Sequence, residues 1–193
     1  MQKIKYFVYA IRFKTLIASI APIMVCSALC YKFYLFNFQV FYATLSAAVL
    51  LQILTNFIND LYDFKKGSDH DNRIGPDRMV QKGYLSENEM TNAIYVVFIA
   101  SLIIGSYLVS VGGFIILIIG LSSFLFAYLY TATRFAIAYN GFGEIFVFLY
   151  FGVIATFGTF YLQNLDFKYD VIILGAIMGC LNINLLVINN LRD

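Results

Sequence analysis

Apolar residues in this chain gather in six blocks of roughly 20, each long enough to cross a bilayer as a helix. The pattern predicts spans at 15–36, 41–59, 92–111, 114–132, 144–162 and 171–189. A membrane barrel would need short alternating segments instead of continuous apolar runs. The expected fold is therefore all-α, a polytopic membrane helical bundle.

The second block does not end cleanly. Through Asn56-Phe-Ile-Asn59-Asp60-Leu-Tyr-Asp63-Phe-Lys65-Lys66-Gly67-Ser68-Asp69 the apolar run passes into amides and carboxylates. Ionisable groups in or beside hydrocarbon are costly and mark functional sites by default. Asp60 and Asp63 share a face if the helix continues through them, and Asp69 follows Gly67, where the chain can turn back. Converging carboxylates and amide oxygens suit a hard divalent cation such as magnesium, which keeps some waters and bridges to phosphate oxygens. The pattern predicts a metal-diphosphate cradle at a membrane surface.

Composition agrees with the span pattern. The 193 residues are 61% hydrophobic and 12% charged, with a mean hydropathy of +0.80, far from a soluble domain. A net charge of +2 names no partner, and neither nucleic acid nor an obligatory protein partner is indicated. The placement of cations says more. Lys3, Lys5, Arg12 and Lys14 precede the first span, and Lys65, Lys66, Arg73, Arg78 and Lys82 lie between the second and third. Arg134 lies between the fourth and fifth, and Arg192 follows the sixth. Only Lys32 and Lys168 fall on the other side. The positive-inside rule then puts the N-terminus and the aspartate-rich loop in the cytoplasm and the protein in the cytoplasmic membrane. No small-residue cleavage site and soluble domain follow the first span, so it is a retained helix and not a signal peptide. Cys26, Cys30 and Cys180 fall within spans and behave as small hydrophobes, and His70, in the loop beside the carboxylates, is either a bystander or a metal- or proton-handling residue.

The loop over 61–88 interleaves carboxylates with Arg73, Arg78 and Lys82, so it can hold a metal and also the anion that the metal brings. Gly75-Pro76 marks a turn, and Ser86-Glu-Asn-Glu89 resembles a capping box that opens the third span. The sixth span ends Asn182-Ile-Asn184-Leu-Leu-Val-Ile-Asn189-Asn190-Leu-Arg192-Asp193, an echo of the second. An even number of crossings returns both to one side, where they can oppose each other across a cavity. Asn182 and Asn184 serve either that cavity or interhelical hydrogen bonding. Gly175-x-x-x-Gly179 allows close helix approach. In the second cytoplasmic connector, Arg134 is either a phosphate contact or a simple anchor. The chain stops on an acidic helix end, so a piece of a longer protein is expected.

Taken together, Asn59-Asp60-x-x-Asp63, Lys66-Gly67-Ser68-Asp69, Arg73-Ile-Gly75-Pro76-x-Arg78 and Gln81-Lys82-Gly83 resemble the first aspartate-rich region of UbiA-type intramembrane prenyltransferases. The likeness is nearest to the branch that prenylates 1,4-dihydroxy-2-naphthoate in menaquinone synthesis. Asn189-Asn190-Leu-Arg192-Asp193 is similar to the start of the family's second aspartate-rich motif. Arg12-x-Lys14-Thr15-Leu16 with Pro22 resembles its N-terminal segment, and Tyr130-Thr131 with Tyr139-x-Gly141-x-Gly143-Glu144 its middle loop. Phe13 and Ala136 stand where the family usually has proline.

The resemblance implies a single intramembrane prenyltransferase domain over 1–193, C-terminally incomplete, with about six helices of a nine-helix fold. It implies transfer of a prenyl group from polyprenyl diphosphate to 1,4-dihydroxy-2-naphthoate, with loss of diphosphate and carbon dioxide. Asp60 and Asp63 are the implied catalytic pair, and Asp60, Asp63, Asp69 and Asp193 the implied magnesium ligands. Substrate contacts are implied for Asn56, Asn59, Arg73, Arg78, Lys82, Arg134, Asn189, Asn190 and Arg192. The alternatives are another aromatic acceptor (4-hydroxybenzoate, haem or a chlorin) or a cation-conducting membrane protein, which would favour carboxylates at mid-span.

Overall fold

The computed structural model describes residues 2–67, 77–133, 136–137 and 141–192. Helix α1, Gln2–Ile11, is an element that the sequence reading took as a basic lead-in. It is amphipathic. Ala10 is buried against Phe57, Leu61, Met79, Val80, Leu85 and Met90, with Tyr6, Phe7 and Ile11 packed around them, whereas Ile4, Val8 and Tyr9 are exposed. The chain breaks from α1 into α2, Phe13–Phe33, at Arg12, whose φ of 55° is left-handed. Two side chains hold this uncommon geometry. The Asn56 amide donates to Ile11 O (2.8 Å), and the Thr15 hydroxyl donates to Arg12 O (2.9 Å).

Helix α3, Phe38–Lys66, is N-capped by Asn37, whose side chain accepts from the amides of Gln39 and Val40. Its 29 residues span about 43 Å at 1.5 Å per residue, well beyond a hydrocarbon core of about 30 Å. The predicted span ended at 59; the helix runs on unbroken to Lys66, with Asn59, Asp60 and Asp63 still packed inside the fold and only the turn from Phe64 exposed.

Helix α4, Glu87–Leu129, opens on the predicted capping box, with Ser86 and Glu89 satisfying each other's backbone amides. Its 43 residues form one uninterrupted helical run only on paper. Gly113 adopts φ 62°, ψ −147°, and the ring centroids of Phe98 and Phe124 lie 5.0 Å apart. In a straight helix, 26 residues would separate those rings by about 39 Å, so the chain doubles back at Gly113. The two limbs, 87–112 and 114–129, correspond to the predicted third and fourth spans. Five described helices are long and apolar enough to cross a membrane, and the fold-back of α4 supplies the sixth leg.

Helix α5, Gly143–Asn164, contains a π-helical stretch over Leu149–Ile154, and α6 is Tyr169–Arg192. The two cross at glycines. A Cβ on Gly152 would sit 2.6 Å from both Gly175 O and Gly179 N, so Gly175-x-x-x-Gly179 is a packing motif, as its spacing suggests. Gly152→Ala is expected to lower stability by about 1–3 kcal/mol through overpacking, seen as a lower midpoint in detergent thermal unfolding.

Asn182 joins three helices here and is only 3% exposed. Pro22 has no N–H to give to Ala18 O, and in the π stretch the Ala155 amide bonds Gly152 O instead of Phe151 O. The Asn182 amide supplies both deficits, donating to Phe151 O (2.7 Å) and Ala18 O (3.2 Å). Interhelical bonding, one of the two sequence readings, is seen for Asn182, which also borders the cavity between the helices, and Asn184 is exposed. Toward the opposite end of the fold, Cys26 and Cys30 are free thiols buried with Phe160 and Val171, and the Asn164 amide donates to Cys30 Sγ. The far end is tied by Asn37 and Gln163, which exchange bonds of 2.6 and 3.1 Å, and by Asn164, which accepts from Leu35 N.

Candidate functional site

The legs enclose a cavity of about 1950 Å³, beyond the roughly 300–1,000 Å³ of an ordinary small-molecule site. Its lining is graded along α3. Asn59 and Asp63 stand at the end where α3 leaves the bundle, Asn56, Thr55 and Gln52 come next, and Leu51, Ala48 and Ala47 lie deeper. Apolar residues of both α4 limbs and of α5, among them Leu108, Ile116, Phe124 and Leu162, complete the deep part. The polar end adds Arg12, Lys14, Arg78, Tyr130, Thr131, Glu144, Asn189 and Asn190. The shape suits an amphiphile with an anionic head and a long apolar tail.

Two carboxylates one turn apart face different partners. Asp63, 4% exposed, lines the cavity and makes a buried ion pair with Arg78, itself on the cavity wall. Asp60 is 0% exposed and absent from the lining; its two oxygens accept from the backbone amides of Met79 and Val80, each at 3.0 Å. The sequence places both on one helix face and cannot tell which is turned to the cavity and which to the loop.

The middle loop is fastened to α3 in two places. The Thr131 hydroxyl donates to Asn59 Oδ1 (2.6 Å), and Lys66 Nζ donates to the carbonyls of Thr131 and Thr133. Tyr130 is half-buried beside this tie and lines the cavity, where its phenol is a neutral hydrogen-bond donor at physiological pH.

Of the thirteen expected site residues, six meet here. Asn56, Asn59, Asp63, Arg78, Asn189 and Asn190 all line the cavity. Asn56 is partly committed to the α1–α2 break, and Asn59 to Thr131. Lys82 is not brought in: it is exposed on the outer side of the turn that carries Arg78, and does not line the cavity. Asp69, His70, Arg73, Arg134 and Asp193 lie outside the described residues, as does the Gly75-Pro76 turn. Arg192 is the last residue of α6, and only its backbone is described. Arg12, Lys14, Tyr130 and Glu144 line the cavity although they were not among the expected contacts. The sequence reads Arg12 and Lys14 as positive-inside cations and as part of the resemblance to the family's N-terminal segment, and nothing in hydropathy marks the break that turns Arg12 inward.

Among the described residues no three Asp, Glu, His or Cys side chains converge as a metal cluster. The donors that do share the cavity are the carboxylates of Asp63 and Glu144 and the amide oxygens of the asparagines. That set fits magnesium, which takes oxygen ligands, needs only one or two carboxylates and completes its shell with waters and substrate phosphates.

Residues 19–193 match the UbiA prenyltransferase family. The chain belongs to that family. It is an integral membrane member, with its apolar helices as the spanning legs. The chain is 36% identical over 200 residues to 1,4-dihydroxy-2-naphthoate octaprenyltransferase of Haemophilus influenzae, covering 100% of itself and 65% of that relative. It is 37% identical over 192 residues to the enzyme of the same name from Escherichia coli (95% and 62% covered). Against the Mycobacterium leprae protein of that name the identity is 35% over 149 residues (77% and 50%). The chain thus spans between half and just under two thirds of the length of these family members. No solved structure matches it significantly.

Proposed function

We propose that this protein transfers a polyprenyl group from polyprenyl diphosphate to 1,4-dihydroxy-2-naphthoate, releasing diphosphate and carbon dioxide. The observation that carries the reading is the Asp63–Arg78 pair at the polar end of a large cavity that turns apolar with depth. The names of the relatives supply the acceptor.

The residues divide the work by depth. Arg78 and Arg12 hold diphosphate oxygens, for which the guanidinium fork is well shaped. Asp63, with amide oxygens of Asn189 and Asn190, is the described part of a magnesium site, and Asp69 and Asp193 are its further candidate ligands. Bound magnesium would supply charge neutralisation of the leaving diphosphate. Tyr130, neutral and on the cavity wall, offers its hydroxyl to the same anion. The allylic C–O bond breaks with its electron pair departing on diphosphate. The ring carbon that carries the carboxylate attacks, and carbon dioxide leaves from that carbon afterwards. The apolar walls of α4 and α5 house the isoprenoid tail and keep water from the cation. The polar end faces the cytoplasm, in keeping with the Lys and Arg concentrated there.

The test is prenyl transfer in membranes bearing the protein, with magnesium present or chelated. Magnesium-dependent formation of the prenylated, decarboxylated naphthoate is the expected result. Transfer only to 4-hydroxybenzoate or another aromatic acceptor would move the assignment within the family. No transfer to any acceptor by well-folded protein would overturn it.

A further inference from the structure

Asp60 and Asp63 form the acidic pair at the end of α3, and the sequence assigns both to metal. The structure separates them. Asp60 has no exposed surface and does not line the cavity, so a cation held there has no path to its oxygens. Both oxygens are instead turned to the amides of Met79 and Val80.

Those amides begin a compact turn. Lys82 N bonds Arg78 O, Gly83 N bonds Val80 O, and the amides of Tyr84 and Leu85 both bond Met79 O, at 3.0 to 3.1 Å. The first N–H groups of such a turn have no partner within it, and a carboxylate can cap them as a side chain caps a helix N-terminus. Asp60 does so from another element. The turn is packed as well as capped. Met79, Val80 and Leu85 are buried with Ala10 of α1 and Phe57 and Leu61 of α3, and Tyr84 stacks on Tyr6 at 4.6 Å. Arg78 is the residue just before the capped amides, and it reaches Asp63 on the cavity wall.

We propose that Asp60 is a positioning residue: its buried carboxylate locks the 78–83 turn, delivers Arg78 to Asp63 at the cavity mouth, and does not ligate the metal. This rests on the proposed function for what Arg78 then does, but the lock itself does not. The two carboxylates of the motif thus have unlike duties, one toward the protein's own backbone and one toward the ligand.

Two measurements decide the matter. Hydrogen exchange on the peptide covering 77–86, in lipid nanodiscs, should quicken about tenfold or more in Asp60→Asn, which uncaps the Met79 and Val80 amides, and several-fold less in Asp63→Asn, which meets the turn only through the Arg78 side chain. In the transfer assay, Asp60→Asn should raise KM for polyprenyl diphosphate about tenfold while the magnesium concentration for half-activation stays within about twofold of wild type. Unchanged exchange in Asp60→Asn, a tenfold shift in its magnesium requirement, or restoration of its activity by manganese would each overturn the proposal. Asp60→Glu carries the same readings if Asp60→Asn does not accumulate. Wild-type membranes without magnesium-dependent transfer would sink the proposed function, and the exchange comparison would still decide the role of Asp60.

Discussion

Asp63→Asn is expected to cost prenyl transfer about a thousandfold or more in kcat/KM while the protein still inserts and folds. The side chain keeps its volume and one oxygen to receive the Arg78 N–H, so the cavity mouth holds its shape. What disappears is the single negative charge that the described part of α3 presents to the cavity. A dication with few carboxylate ligands depends heavily on each. Product formation per molecule of folded protein, set beside a thermal midpoint from the same membranes, separates the two effects. Turnover close to wild type would remove Asp63 from the site.

Arg78 carries the second large expectation, and two substitutions divide its roles. Arg78→Lys keeps the charge but loses the planar fork, so KM for polyprenyl diphosphate should rise about tenfold with KM for naphthoate unchanged. Arg78→Ala should weaken the diphosphate further and also lower the thermal midpoint. Taking the guanidinium from a carboxylate that is 4% exposed costs about 3 kcal/mol at the lower end of what buried pairs show. Equal damage to both substrates' KM values would show that Arg78 shapes the cavity without holding phosphate. A midpoint that does not move would mean that water reaches Asp63 freely.

The six crossings are legible in the sequence because each is a continuous apolar run with polar interruptions, and Gly112-Gly113 falls between the third and fourth. The overrun of α3 is not legible. Hydropathy falls at Asn59, yet the backbone stays helical to Lys66, because Asp60, Leu61 and Asp63 in the added turns are covered by the 78–85 turn packed on them. Helix α1 was missed because its cations read as topology signals, and its buried face exists only once the 78–85 turn lies beneath it. The cluster at the end of α3 is recognisable from residue types and spacing. The division of labour between Asp60 and Asp63 is not, since it depends on which backbone amides arrive from 19 and 20 residues away. Asn182 shows the same limit. Its task is set by a proline on α2 and a π stretch on α5, neither of them its sequence neighbour.

The fold-back at Gly113 also bears on how the protein is made. The second limb of α4, residues 114–129, has 16 residues, fewer than the roughly 20 that an independent span requires. It is joined to a first limb of ample length by one glycine, with no loop to lodge in the translocation channel. The pair is therefore handed to the lipid as one hairpin, and the short limb inherits its orientation from its longer sibling. A topology reporter fused after Tyr130 should thus follow whichever way limb 87–112 is made to face.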